Sequence, residues 1–304
     1  MPLSAKDLLK DDYLRVLLMG VPKIGKTAMC IGTSPGFEEK KVHVLLCESD
    51  DALKYAYRKF GDVFTFDRIS GWNTMTKALL EAKNAAKEGK IKTLIVDPLS
   101  DYATRLEEEM LQMTDKGNGP DGRRAYPEYN RRLRHNIESL LRMPCNVIII
   151  SHFVDTGGGE VTPDDGGDPT PRTGEGIVPL LAGKARALVA AKIPNVVFMD
   201  YRKGDRVLVT GPLGVWGPGC RDLDGTQIIP ADIHSTQHKV VGIKALIEAM
   251  KNVDAPKKKV APAPAPAVKP AAKPAPRAVA PLRSTTPTTQ TRPATRPAPQ
   301  PTRR

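Results

Sequence analysis

The segment that decides the fold is "LRVLLMGVPKIGKT", residues 14–27. Its first six residues form a short apolar run, which predicts a buried strand. The run continues into a glycine-rich turn with the spacing G-x-x-x-x-G-K-[ST], and a plausible helix follows. In this pattern the two glycines let the backbone wrap closely around a phosphate group, so that successive N–H groups point inward. The segment therefore predicts a phosphate site between a strand and a helix.

Each fixed position of the motif has a chemical role. Lys26 reaches the β- and γ-phosphates of a nucleotide, and the Thr27 hydroxyl ligates Mg²⁺. ATP and Mg²⁺ are therefore the expected cofactors. The predicted nucleotide-binding residues are consecutive in the chain: Gly20, Val21, Pro22, Lys23, Ile24, Gly25, Lys26, Thr27 and Ala28.

A second stretch, "TLIVDPLSD" (residues 93–101), reads as a buried strand that ends on one carboxylate, Asp97. A carboxylate at this place organises Mg²⁺ in other enzymes with such a phosphate loop. Many of these enzymes carry a water-activating glutamate directly after the aspartate, but the next residue here is Pro98. The general base is therefore expected elsewhere.

The candidate for that base is Glu48, which stands at the end of the apolar run "VHVLLC" (residues 42–47). Ligands bind at the carboxyl edge of open α/β sheets, and a carboxylate there can deprotonate a water in line with the γ-phosphate. The alternative is that Glu48 only caps the helix that begins near Asp50, although Ser49 and Asp50 are better caps.

Apolar runs alternate with helical patterns along the first 250 residues. Further strands are predicted at 146–151, 195–201 and 205–211, and long loops at 114–127 and 155–176. This alternation predicts an α/β domain with a mostly parallel sheet flanked by helices. The predicted helices are Asp51–Phe60, Met75–Lys87, Tyr102–Met113, Glu128–Arg142 and a closing amphipathic helix at 239–252.

The composition changes sharply after Asp254. Residues 255–304 contain 5 Lys, 6 Arg and no acid, so that segment carries +11 of the net charge of +12 and leaves +1 for residues 1–254. The segment is rich in Ala and Pro and has no aromatic residue, which predicts a disordered basic tail after one domain, 1–254. The tail suits non-specific phosphate contact, and the alternative is a solubilising linker.

Two segments resemble the RecA-type recombinase core. "CESDDALKYAYRKFG" is similar to the RecA segment that carries the catalytic glutamate, and "NVIIISH" is similar to the strand whose last polar side chain senses the γ-phosphate, here Ser151 or His152. The closer likeness is to phage-encoded RecA-like P-loop ATPases of the single-strand-annealing family, sometimes catalogued as AAA-type phage nucleotide-binding proteins. It covers about residues 12–250 and includes "YNRRLRHNIESLLRMPCNVIIISH" and "VPLLAGKARALVAAKIPNVVFMDYR".

The resemblance implies a RecA-type P-loop NTPase core that binds and hydrolyses ATP and acts on single-stranded DNA in phage recombination or repair, by annealing or strand pairing. It implies the bacterial host cytoplasm, self-association into a ring or filament, and a single-strand-binding protein as a partner. RecA-like cores often carry a K-x-R pair that reaches the neighbouring subunit's nucleotide. "WGPGCRDLDG" keeps Arg221 but has Gly219 in place of the lysine, so Arg221 is the expected trans-acting residue.

A basic and aromatic cluster is the candidate DNA surface of the core, since a basic groove with stacking aromatics binds single strands without sequence preference. The alternative is that the arginines form the solvated face of a helix whose buried stripe is Leu133, Ile137, Leu140 and Leu141. The 155–176 loop holds six acids against one arginine, so its charge opposes DNA binding. The cluster consists of Arg123, Arg124, Tyr126, Tyr129, Arg131 and Arg132.

The remaining features exclude several classes of protein. The four cysteines lie without C-x-x-C spacing and read as reduced core residues, and His234 and His238 lack partners in sequence for a metal site. No apolar run is long enough for a membrane span, and the N-terminus has acids where a signal peptide is apolar, so a cytoplasmic protein is expected. Alternatives to a DNA-handling ATPase are a P-loop switch or assembly factor that binds a protein partner and, less favoured, a small-molecule kinase.

Overall fold

The computed structural model describes residues 13–115, 119–155, 177–202, 204–211, 219–220, 223, 227–235 and 238–253. All of them lie in the first of the two units into which the chain divides, Met1–Lys257. The predicted tail, most of the 155–176 loop and Arg221 lie outside the described residues, so the predictions about them and the domain boundary stay predictions.

Strands and helices alternate through the first eight elements of the described chain. In chain order they are β1 (Arg15–Gly20), α1 (Lys26–Thr33), β2 (Val42–Leu46), α2 (Asp51–Phe60), β3 (Phe64–Arg68), α3 (Trp72–Lys87), β4 (Thr93–Asp97), α4 (Leu99–Thr114), α5 (Gly122–Leu141), β5 (Asn146–Ser151), β6 (Phe153–Asp155), β7 (Ile177–Pro179), α6 (Ala185–Lys192), β8 (Asn195–Arg202), β9 (Asp205–Val209), β10 (Gly219–Cys220), β11 (Ile228–Pro230) and α7 (Gly242–Val253).

The main sheet of the described part contains nine strands. Eight of them follow the order β11-β9-β8-β1-β5-β4-β2-β3, and the short β10 pairs with β8. The strands from β3 to β8 along this order run parallel, whereas β9, β10 and β11 pair antiparallel with their neighbours. The mixed, mostly parallel sheet confirms the predicted α/β class and is consistent with a P-loop NTPase core. The strand β1 lies at its centre, which places the loop after β1 in the middle of the carboxyl edge.

Helices cover both faces of this sheet, and the strand residues alternate between two apolar clusters. Leu17, Leu94 and Ile149 pack with α3, α4, α5 and α6 on one face. Val16 and Ile148 pack with α1, α2 and α7 on the other face. Because successive side chains of a strand point to opposite faces, strands buried on both faces must be apolar throughout, as these are.

Three predicted helices begin earlier than expected, at Trp72, Leu99 and Gly122. The largest difference is at α5, where residues 122–127 of the predicted loop are helical instead. Asp121 caps α5 by accepting a hydrogen bond from the Arg123 backbone N–H at 3.0 Å. This cap and the burial of Ala125 stabilise the first turn of α5, although the segment contains glycine and proline, which disfavour a helix.

The edge strand β3 and the helix α6 were not predicted. The sequence of β3, "FTFDR", has no continuous apolar run, because most of its side chains are partly or fully exposed at the sheet edge. All four cysteines are buried, in agreement with their prediction as core residues. None of the described helices has the length and apolar character needed to cross a bilayer.

Candidate active site

The phosphate loop connects β1 to α1 at the centre of the sheet edge. β1 ends at Gly20, and α1 begins at Lys26 with Gly25 as its N-cap residue. Gly25 has a φ of 97°, which a residue with a Cβ rarely adopts. A Cβ on Gly20 would lie 2.6 Å from the carbonyl oxygen of Met199 on β8, so this close approach also requires glycine. Both glycines of the motif are therefore needed by the backbone itself.

The ammonium group of Lys26 lies inside the phosphate loop. Its side chain is 6% exposed, and Nζ donates hydrogen bonds of 2.9 Å to the carbonyl oxygens of Gly20 and Val21. Burial lowers the pKa of Lys26, and the negative charge of Asp97 opposes that shift. A buried ammonium group at the N-terminus of a helix provides a positive charge where the backbone N–H groups also favour an anion.

Thr27 and Asp97 meet although 70 positions separate them in the chain. The Thr27 hydroxyl donates a hydrogen bond of 2.6 Å to Oδ2 of Asp97, which is 1% exposed at the end of β4. Hydroxyl and carboxylate oxygens are the ligands that Mg²⁺ prefers, so the two residues fit the predicted metal role. Burial raises the pKa of Asp97 to about 6, against the opposing effects of the Thr27 hydrogen bond and the Lys26 charge.

Glu48 lies one residue beyond Cys47, whose backbone N–H donates to the carbonyl oxygen of Asp97 at 2.7 Å. Glu48 lines the same cleft as Lys26 and Thr27. The N-cap residue of α2 is Asp50, so capping does not account for Glu48. Burial is the main cause that raises the pKa of Glu48 to about 7, and the nearby charges of Asp97 and Asp101 add to it. A carboxyl group with such a pKa exchanges protons near neutral pH, as a general base must.

The cleft that contains these residues has a volume of about 720 Å³. It opens at the carboxyl edge of the sheet, where ligands of α/β proteins bind. Its lining combines the phosphate loop, Glu48 and Asp97 with the less polar residues Tyr55, Ala231 and Ile233. The lining residues are Pro22, Lys23, Gly25, Lys26, Thr27, Ala28, Met29, Glu48, Ser49, Asp51, Ala52, Tyr55, Asp97, Ile150, His152, Arg206, Ala231 and Ile233.

The structure distinguishes the two candidates for the γ-phosphate sensor. Ser151 is fully buried, and its hydroxyl donates to the carbonyl oxygen of His152 at 2.8 Å. His152 lines the cleft, and its Nε2 lies 4.0 Å from Oδ1 of Asp101 on α4. Burial and the charge of Lys26 lower the pKa of His152, while Asp101 opposes that shift. The position of His152 in the cleft supports its predicted role over that of Ser151.

Arg206 and Tyr55 line the cleft but were missed in the sequence. Arg206 is the second residue of β9, which returns antiparallel from β8 and so starts at the carboxyl edge of the parallel strands. The segment "DYRKGDRV" could have been read as a hairpin with a Lys-Gly turn, which would have located it. Tyr55 lies on α2, and its hydroxyl is 3.3 Å from Nε2 of His234.

The histidines and the basic cluster were further candidates. Within the described part of the chain no group of three or more His, Cys, Asp or Glu side chains is arranged so that it could hold a metal ion. In the basic cluster, Tyr129 is 1% exposed in the core, so it cannot stack on a base, and its inclusion was wrong. Arg131 and Arg132 both form ion pairs with Glu128.

The remaining members of the basic cluster lie at the surface of α5. Arg123 and Arg124 are exposed, and Tyr126 is 43% exposed. Arg132 also packs over the ring of Trp72, with its guanidinium carbon 5.1 Å from the ring centroid. The surface that remains for DNA is therefore smaller than the sequence suggested.

We expect Asp97→Asn to stabilise the nucleotide-free protein at pH 8. The pKa of Asp97 is raised to about 6 from an ordinary value of 3.8, so folding favours the protonated carboxyl. Protonated Asp97 therefore contributes at most about 3 kcal/mol to the free energy of unfolding, relative to the ionised carboxylate. This contribution is fully present below pH 4 and is lost as the pH rises through 6. Asparagine does not ionise and can still accept the Thr27 hydrogen bond.

Urea unfolding without Mg²⁺ or nucleotide measures this effect at pH 4 and pH 8. The variant should exceed the wild type in unfolding free energy at pH 8, and the difference should shrink at pH 4. Asp62→Asn is the matched control, because Asp62 is 85% exposed. Equal stability of wild type and Asp97→Asn at pH 8 would show that the buried carboxylate imposes no strain on the fold.

The geometry of the cleft agrees with the protein family that the sequence matches. The family model described as an AAA domain matches residues 12–216, which is more than half of the chain and includes Lys26, Glu48, Asp97 and Arg206. No curated protein matched the chain. Such a domain indicates nucleotide binding and hydrolysis, typically with Mg²⁺, in accord with the phosphate loop of the cleft. The chain belongs to the AAA domain family.

Proposed function

We propose that this protein binds ATP with Mg²⁺ and hydrolyses it, and that it acts on single-stranded DNA in phage recombination or repair by annealing or strand pairing. The observation that carries the hydrolytic part is the convergence of four side chains on one cleft. Lys26, Thr27 and Glu48 line it together with Asp97, although they come from three different strand ends.

Each of these residues has a different role in phosphoryl transfer. The phosphate loop and Lys26 bind the phosphates, and Thr27 with Asp97 holds Mg²⁺, which neutralises charge on the phosphates when bound. Glu48 accepts the proton of the attacking water, since its raised pKa makes its carboxylate a stronger base than an ordinary glutamate. His152 lies in the same cleft as a polar contact for the γ-phosphate.

The DNA-handling part rests on the resemblance and on charge. The RecA-like segments, the eleven cations after Asp254 and the exposed residues Arg123, Arg124 and Tyr126 support it. Self-association into a ring or filament, with Arg221 acting in trans, and a single-strand-binding protein as partner belong to the same proposal.

One observation favours the second candidate function, an ATP-dependent switch or assembly factor that binds a protein partner. Tyr129 is buried, and Glu128 forms ion pairs with both Arg131 and Arg132, which weakens the case for a DNA groove on α5. In this alternative the nucleotide cycle is retained, and only the macromolecular partner differs.

ATP hydrolysis with and without single-stranded DNA separates the two functions. If the protein handles DNA, single strands should raise the turnover rate severalfold, and a fragment of residues 1–254 should keep the basal rate. The fragment should also bind DNA with a weaker salt dependence, because each phosphate that the tail no longer neutralises reduces the log–log slope by about 0.7. A rate that single strands leave unchanged, together with no DNA binding by the full chain, would support the switch or assembly factor.

A further inference from the structure

Arg206 enters the cleft from the antiparallel extension of the sheet. Its Nε lies 3.7 Å from the position that a Cβ on Gly25 would occupy, so the guanidinium packs directly on the turn of the phosphate loop. Arg206 also lines the cleft, and its backbone carbonyl oxygen accepts a hydrogen bond of 2.9 Å from the backbone N–H of Ala231, another lining residue. It is therefore a lining residue that lies directly against the phosphate loop.

The guanidinium is held in this place by one carboxylate. Nη1 of Arg206 lies 3.2 Å from Oδ1 of Asp232, and the same oxygen accepts a hydrogen bond of 3.0 Å from the backbone N–H of His234. The turn after β11 thus fixes the Asp232 carboxylate, and the carboxylate orients the arginine. Asp232 is a positioning residue in this arrangement.

One buried donor of Arg206 is left over. Its Nε is buried and has no hydrogen-bond partner within the described part of the chain. Buried donors are almost always paired, because an unpaired one loses its hydration without compensation, and the loss is larger for a charged group. An unpaired Nε–H next to a phosphate loop is explained if the acceptor belongs to the ligand.

We propose that Arg206 is a phosphate ligand in cis, which contacts the α- and β-phosphates of the nucleotide from the side of β9. This inference rests on the proposed function, because it assumes that the cleft binds a nucleotide. The backbone of the loop around Gly25 cradles the α- and β-phosphates, whereas Lys26 reaches the β- and γ-phosphates. The planar fork of an arginine matches phosphate oxygens with two parallel hydrogen bonds.

The assignment predicts which kinetic quantity Arg206 controls. An interaction with the α- and β-phosphates is the same for ATP and ADP and persists through the transfer of the γ-phosphate. Removal of such a uniform interaction raises Kd and KM but leaves kcat unchanged. A residue with only a structural role would not produce this separation.

Calorimetric titration of the full-length protein with Mg²⁺ tests the assignment. The probes are AMP-PNP, ADP and inorganic tripolyphosphate, which lacks both base and ribose. Arg206→Ala should weaken all three by about tenfold or more, the scale of removing a hydrogen bond to a charged group, while kcat at saturating ATP stays within about threefold. Arg206→Gln, which keeps part of the stem without the charge, should weaken them similarly and serves if the alanine variant does not fold.

The control variant is Arg202→Ala. Arg202 lies on β8, pairs with Asp200 at 3.2 Å and is 31% exposed like Arg206, but it does not line the cleft. It should bind all three probes as the wild type does. Unchanged affinities in both Arg206 variants would overturn the inference, as would a loss confined to AMP-PNP and ADP, which would place the interaction at the base or ribose. Failure of the wild type to bind any probe would instead refute the proposed function.

Discussion

Lys26→Ala is expected to reduce ATP hydrolysis by at least about 10²- to 10³-fold, the scale on which enzymes lose activity when a group that stabilises developing charge is removed. The reason is that Lys26 places a buried ammonium group inside the phosphate loop, held by the carbonyl oxygens of Gly20 and Val21. Alanine favours the helix at this position, so the fold of α1 should persist.

Steady-state ATPase assays and thermal unfolding of the same samples measure this result. Lys77→Ala is the matched control, because Lys77 is an exposed lysine on α3 whose side chain lies 3.9 Å from Glu81. The control should hydrolyse ATP at the wild-type rate. Wild-type turnover by Lys26→Ala would eliminate the assigned phosphate site and with it the proposed hydrolase.

Glu48→Gln is expected to bind ATP with nearly normal affinity and to hydrolyse it at least about 10²-fold more slowly, the usual effect of removing a general base. Glutamine has nearly the same shape and cannot accept the proton of the attacking water. Glu81→Gln on the exposed face of α3 should leave the rate unchanged and is the control. If Glu48→Gln turns over like the wild type, the base lies elsewhere in the cleft.

The pH dependence provides an independent check on the same residue. The pKa of Glu48 is raised to about 7, and the carboxylate is its active form. The wild-type kcat/KM should therefore rise with pH through about 7 and level off above it. The residual activity of Glu48→Gln should lack this rise, and a rise that persists in the variant would assign the titration to another group.

The strands and helices that could be predicted from the sequence are those whose pattern of apolar residues lies within one short segment. The strands around the centre of the sheet are buried on both faces, so their apolar runs are continuous and easily recognised. The edge strand β3 is half exposed and lacks such a run, and it was missed. On α5 the predicted buried stripe begins at Leu133, but the structure extends it four residues back to Tyr129, whose aromatic ring the sequence equally allowed at the surface.

The sequence by itself determined the phosphate loop of this protein, because its backbone donors, its lysine and its threonine are consecutive residues whose spacing fixes their geometry. It also indicated Asp97 and Glu48, because the ends of parallel strands meet at one edge of a sheet. Only the tertiary structure decided that His152 rather than Ser151 faces the cleft and that Arg206 reaches the loop. The direction of one side chain at a strand end, and the return of an antiparallel hairpin 180 residues after Lys26, depend on long-range packing that no local pattern contains.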